Sequence, residues 1–219
     1  TVEKKKDETP TDSPSSSSSA DSKSTSDTGI DDDDEKFTDS YSGPKTVVDH
    51  PTSAEGFRLS EVAANLAVMS KSKYLALQKK LVGSALKACN LFFASALIQA
   101  KGPAANGKIA TPKNFPGSLA DVLDTKYFEP AGWERISLAD LKQWFKDGRI
   151  FDVAIQRDAP KGKDHGHVAI PIGLNADGNV MVAEGIYAYN QSRAISNRIA
   201  VYSDTSINTK FKIFARWEK

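Results

Sequence analysis

The chain has 219 residues, and its 29 Lys and Arg against 28 Asp and Glu leave a formal net charge of +1. No run approaches the roughly 18–20 uninterrupted apolar residues of a membrane-spanning helix, and a single cysteine excludes an intrachain disulfide and a Cys-x-x-Cys zinc site. Those averages hide two unlike pieces: residues 1–45 hold five apolar side chains and 12 acids against 6 bases, while the rest holds 23 bases against 16 acids and nearly all the hydrophobic content.

The first piece runs through a serine tract (Ser15 to Ser19) and an acidic run (Asp31 to Glu35) without a hydrophobic period. It cannot bury enough apolar surface to offset the entropy of ordering it, so residues 1–50 read as a disordered Ser/Asp-rich tail or linker and 51–219 as the folded domain. An opening Thr in place of Met points to a missing N-terminal piece, a signal peptide or a cloning boundary.

Order is expected from Phe57. Leu59, Val62, Ala63 and Leu66 follow the i, i+3, i+4, i+7 spacing of a helix face, and a second helical stretch covers about Lys73 to Val82 before Gly83-Ser84 interrupts it. From Lys87 to Ala100 almost no polar face remains, which predicts a helix in the middle of the domain that stops at Gly102-Pro103. Pro103 to Gly117 reads as a long surface loop of the kind that lines binding sites. Ser137 and Asp140 have capping-box spacing for a helix over Leu138 to Asp147, with Gly148 as its stop. Five strand-like runs follow: Ile150–Gln156, Gly166–Leu174, Asn179–Ile186, Ile199–Tyr202 and Lys210–Trp217. Helices first and strands afterwards predict an α+β domain with an antiparallel sheet.

Cys89 lies near the start of the apolar helix, where the partial positive charge of the N-terminus lowers a thiol pKa. The same position suits a cysteine that merely packs. Two of the three histidines fall in Asp164-His165-Gly166-His167, at the entrance to the strand Val168-Ala169-Ile170. The segment Asn175-Ala176-Asp177-Gly178 is a turn signal. As a four-residue loop it pairs Leu174 with Asn179 and puts His167 opposite Ile186, one diagonal step from Glu184. A two-residue Asp177-Gly178 turn moves the register by two and leaves the faces unchanged. In both cases His167 and Glu184 share a face, so a carboxylate could orient an imidazole that takes a thiol proton. His165 makes a His-x-His pattern that binds metal only with further ligands, for which Cys89 and Asp164 are the candidates. A plain loop histidine is the simpler reading, and no metal or cofactor is expected. Tyr187, Tyr189, Arg193 and Arg198 read either as contacts to an extended polymer or as ordinary surface and edge positions.

The Cys-Asn-x-Phe-Phe helix start, the later Gly-His-Val-Ala-Ile strand and the return through Val-Ala-Glu-Gly together resemble the papain-like cysteine hydrolases of bacterial cell walls, of the NlpC and CHAP types. The likeness spans roughly Leu81 to Gly185. Gly185, Ile186 and Tyr187 follow the acid where the CHAP-type pattern often has an asparagine, and Ala88-Cys89-Asn90 stands where NlpC-type members usually have Asp-Cys-Ser. The resemblance implies a papain-like fold with the nucleophile on a buried helix packed against the sheet. It makes Cys89 the nucleophile, His167 the general base and Glu184 the acid that orients it. The Cys89 N–H is the first oxyanion donor, with Ser84 and Asn90 as candidates for the second.

The function expected on these grounds is a secreted or periplasmic peptidoglycan hydrolase that cuts stem-peptide amides as endopeptidase or amidase. Peptidoglycan is its partner, an inhibitor or immunity protein a second one, and nucleic acid is not expected. Two alternatives stay open: a protein deamidase or acyltransferase with the same Cys-His pair, and a wall-binding module without catalysis.

Overall fold

The computed structural model describes residues 35–36, 59–83, 88–106, 108–115, 120–149, 151–159, 166–186 and 196–217. Apart from Glu35–Lys36, the whole of the tail expected over 1–50 lies outside these residues, as do His50, Ser84, Asp164, His165, Tyr187, Tyr189 and Arg193.

The three helices of the first half form close to where the sequence pattern places them: α1 (Leu59–Ala67), α2 (Lys71–Val82) and α3 (Ala88–Gln99). Strands then dominate: β2 (Glu134–Ile136), β3 (Asp152–Arg157), β4 (His167–Leu174), β5 (Val180–Ile186), β6 (Ser196–Tyr202) and β7 (Lys212–Arg216). Helix α4 (Leu138–Lys146) precedes β3 and α5 (Asp204–Lys210) separates β6 from β7. Strand β1 is the two-residue pairing of Glu35–Lys36 with the outer edge of β6, within a stretch whose composition announces no strand. The sheet is antiparallel at every pairing, in the order β1-β6-β5-β4-β3-β7-β2. The molecule is thus an α+β protein with an open antiparallel sheet, as its element order predicts. Among the described residues no helix is long and apolar enough to cross a membrane.

Helices cover both faces of the sheet. On one, α1 and α3 pack their Leu59, Ala63, Phe92, Phe93 and Leu97 against Val168, Ile170, Ala183 and Phe214. Residues 90–97 of α3 are buried all round, which their composition demanded. Each large side chain removed from water there stabilises by roughly 1.5–3 kcal/mol. On the other face, Leu138, Leu141 and Phe145 of α4 and Ile207 of α5 meet Val153, Ile155, Val180, Val182 and Ile213. The capping box of α4 forms: the Asp140 N–H donates to Ser137 Oγ at 3.1 Å and the Ser137 N–H to Asp140 Oδ2 at 3.3 Å. Gly148 ends the helix at φ +63°.

Two expectations are corrected. Pro103–Gly117 is not a purely surface loop, since Pro103 bridges Ile109, Tyr127 donates to the Pro103 carbonyl at 2.7 Å, and Ala104 and Ala110 are buried. The hairpin loop is a residue longer than the four expected: Leu174 pairs with Val180, not with Asn179. That odd shift alone would send His167 and Glu184 to opposite faces. The ladder corrects it, because the register slips by one between Pro171 and Gly173, so that Pro171 pairs with Val182 and Ile170 with Ala183. Proline has no N–H to give a central strand, which makes it a natural site for such a bulge. Ser60 of α1 donates to the Pro171 carbonyl at 2.8 Å and pins the irregular segment.

Candidate active site

The bulge has its consequence at the start of β4, four residues before Pro171. Glu184 and His167 now leave the sheet on the same face, and His167 Nε2 meets Glu184 Oε2 at 2.5 Å. The Glu184 side chain is 0% exposed, a position in which a lone carboxylate would be protonated. Three partners keep it charged. Besides His167, Arg198 Nε donates to Oε1 at 2.7 Å and the Tyr202 hydroxyl to Oε2 at 2.7 Å. Burial pushes the acid up, but the His167 charge, its hydrogen bond and the Arg198 charge prevail and hold Glu184 at about 2.

The thiol reaches this pair through a fork in the sheet. The β4–β5 ladder begins at Ile170↔Ala183. Beyond it, residues 167–169 pair with β3 and residues 184–186 with β6. Cys89, half-buried in the first turn of α3, hydrogen-bonds the His167 side chain and the backbone of Val168 at this fork. Since Glu184 takes Nε2, Nδ1 is the imidazole nitrogen left for sulfur. Burial raises the thiol, yet the His167 hydrogen bond and charge, with backbone groups of Val168 and Asn90, outweigh it and leave Cys89 below its ordinary value. His167 moves the other way. Burial disfavours its cationic form, but Glu184 above all, and then Cys89, raise the imidazole to about 10. At neutral pH these directions favour thiolate beside imidazolium, the ionisation state of an activated sulfur nucleophile.

Close packing places the histidine. At Gly166 a Cβ would come within 2.1 Å of the Arg157 carbonyl and 3.0 Å of the Asp121 nitrogen, so β4 enters the sheet where only glycine fits. The ring of Phe211 lies 6.3 Å from that of His167 and 5.2 Å from that of Tyr202, closing the site from the α5 side.

Cys89, His167 and Glu184, singled out from sequence, are thus brought together in one hydrogen-bonded chain. Asn90 follows the thiol in the first turn of α3 and is buried. Arg198 is corrected: it is neither polymer contact nor surface position, since it turns inward onto Glu184. Tyr202, Phe211 and Tyr74 were missed. Tyr74 is buried on α2, accepts from Gln78 Nε2 at 2.8 Å, and is raised well above the phenol range by burial and then by the charge on Cys89. A buried glutamate in a strand signals a need for cross-strand cations, but Arg198 follows a connection whose length does not fix the register. The chain matches no protein-family model, no curated protein and no solved structure.

Proposed function

We propose that the chain is a papain-like cysteine hydrolase whose nucleophile, Cys89, stands on the buried helix α3, and that it cuts amide bonds of peptidoglycan stem peptides outside the cytoplasm. The observation behind this reading is the unbroken chain Cys89–His167–Glu184, closed by Arg198 and Tyr202. A merely packed thiol needs neither an imidazole nor a charged carboxylate behind it. The wall as substrate rests on the sequence resemblance and on the basic character of the domain, which favours an anionic polymer.

In the reaction the Cys89 thiolate attacks the amide carbonyl carbon and forms a C–S bond. As the tetrahedral intermediate collapses the C–N bond breaks, and His167 passes its proton to the departing amine. Water then attacks the thioester while His167 takes one of its protons. The C–S bond breaks, releasing the acid and restoring the thiolate. Glu184 keeps the imidazole oriented and its cationic form stable throughout. The Cys89 N–H, in a first turn whose N–H groups lack intrahelical acceptors, is the first oxyanion donor.

Purified walls incubated with the reduced protein should release new amines and soluble fragments, whose masses identify the bond cut. Cys89→Ala should abolish release while leaving circular dichroism unchanged. Release at the wild-type rate by the variant would end the proposal, and ammonia from glutamine-containing proteins without wall cleavage would favour the deamidase reading.

A further inference from the structure

Several carboxylates around the candidate site are already matched with cations. Glu184 is held by His167, Arg198 and Tyr202, while Asp124 and Asp158 share Lys212 at 2.8 and 2.9 Å. Among the described residues Arg157 takes part in none of these pairs. It is the direct cross-strand partner of His167, so the two side chains leave the same face of the sheet next to each other. Its guanidinium carbon lies 5.8 Å from the centre of the Phe211 ring, the same ring that stands 6.3 Å from the imidazole. Its Nε is buried and makes no hydrogen bond, and among the described residues no carboxylate pairs with it. A surface arginine would be free to swing into water. This one is held by an aromatic face, with a planar donor fork fixed beside a second cation.

We propose that Arg157 forms a carboxylate subsite adjoining Cys89 and His167, and that the preferred substrate is a peptide amide with a free carboxylate close to the scissile bond. The proposal deepens the hydrolase reading and rests on it. Two neighbouring cations repel, and an anion between them relieves that repulsion. Guanidinium and carboxylate match in geometry, and Phe211 keeps Arg157 oriented before the substrate arrives. Arg198 cannot serve in its place, because its charge is spent on Glu184. A neutral peptide would leave the Arg157 charge unanswered, so the subsite selects among amides by the charge next to them.

Two alkylating reagents of nearly equal size read this directly, since iodoacetate has the carboxylate and iodoacetamide does not. The full chain is alkylated at Cys89 with each, near neutral pH, for the wild type, R157Q and R157K. R157Q should lower the iodoacetate-to-iodoacetamide rate ratio by about tenfold, the loss of one charge-assisted contact, and R157K should restore part of it. Added salt should lower the ratio in the wild type more than in R157Q. A ratio that R157Q leaves unchanged overturns the subsite. Because the ratio is readable even from a slow thiol, failure of the nucleophile reading shows separately, as sluggish iodoacetamide alkylation of the wild type.

Discussion

Asp152 and Glu184 are both 0% exposed, and both extend from strands of the one sheet, yet their environments drive them in opposite directions. Asp152 takes the N–H of Leu59 at 3.1 Å, capping the start of α1, while its Oδ2 has no hydrogen bond. Burial therefore prevails over that N–H and the Arg216 charge, and raises the acid to about 7. Glu184, with three side-chain donors, falls to about 2. The cost of burying a carboxylate is common to the two; the number and charge of the donors that face it decide the sign. One acid is a structural cap that tolerates its proton. The other is the anionic end of a relay that must stay charged to keep an imidazole cationic.

The same substitution at the two positions should therefore have opposite results, and Glu184→Gln has the largest effect. It removes the counter-charge of His167, so turnover should fall by about 10²–10⁴-fold. The buried ion pair with Arg198 is also broken, at a cost of roughly 3 kcal/mol or more in denaturant unfolding. The pH profile gives the sign. Acylation needs imidazolium as the acid, so the wild-type alkaline limb of kcat/KM should lie near the His167 value of about 10. In the variant it should move down toward the ordinary imidazole range. An alkaline limb that does not move would mean that Glu184 does not set the His167 charge. The folded-state stability held by His167 is fully present below its unfolded value and is lost as pH rises toward about 10.

Asp152→Asn should go the other way. Its carboxyl is raised in the folded state, so the native protein holds that proton more tightly than the unfolded chain does. Wild-type stability then falls as pH rises from about 4 toward about 7, by about 2–4 kcal/mol at most. The amide keeps the acceptor for the Leu59 N–H and does not titrate. Thermal unfolding should find variant and wild type alike near pH 4 and the variant more stable above pH 7. Equal pH slopes for the two would show that Asp152 is ionised throughout and erase the contrast.

The smallest effect is expected from Gly166→Ala, which sharpens the comparison by moving His167 and leaving both acids in place. Its Cβ must displace the Arg157 carbonyl or the segment at Asp121, at about 1–2 kcal/mol. Turnover should drop by about tenfold as the imidazole shifts from sulfur, with the unfolding of α1 around Asp152 unaffected in hydrogen exchange.

Much of this molecule could be read from residue order alone, because the relevant physics is local. The all-round apolarity of residues 90–97 requires a buried helix, Ser137 and Asp140 three positions apart close a capping box, and runs rich in Val and Ile mark the long strands. Short β2 and α5 escaped, having too few residues for a period to show. For the site, the sequence supplied Cys89, His167 and Glu184, and a same-face geometry reached through a four-residue loop that does not form. Only the folded sheet, with a five-residue connection offset by the slip at Pro171–Gly173, returns the two side chains to one face. Parity in a strand has period two, so a single inserted residue anywhere between turn and histidine reverses the answer; Pro171 and Gly173 mark where a bulge can sit but do not fix that one forms. The fork that admits the thiol, and the inward turn of Arg198, likewise depend on which strands stay paired across the sheet, a choice made by packing against α1 and α3 and not by the strands' own residues.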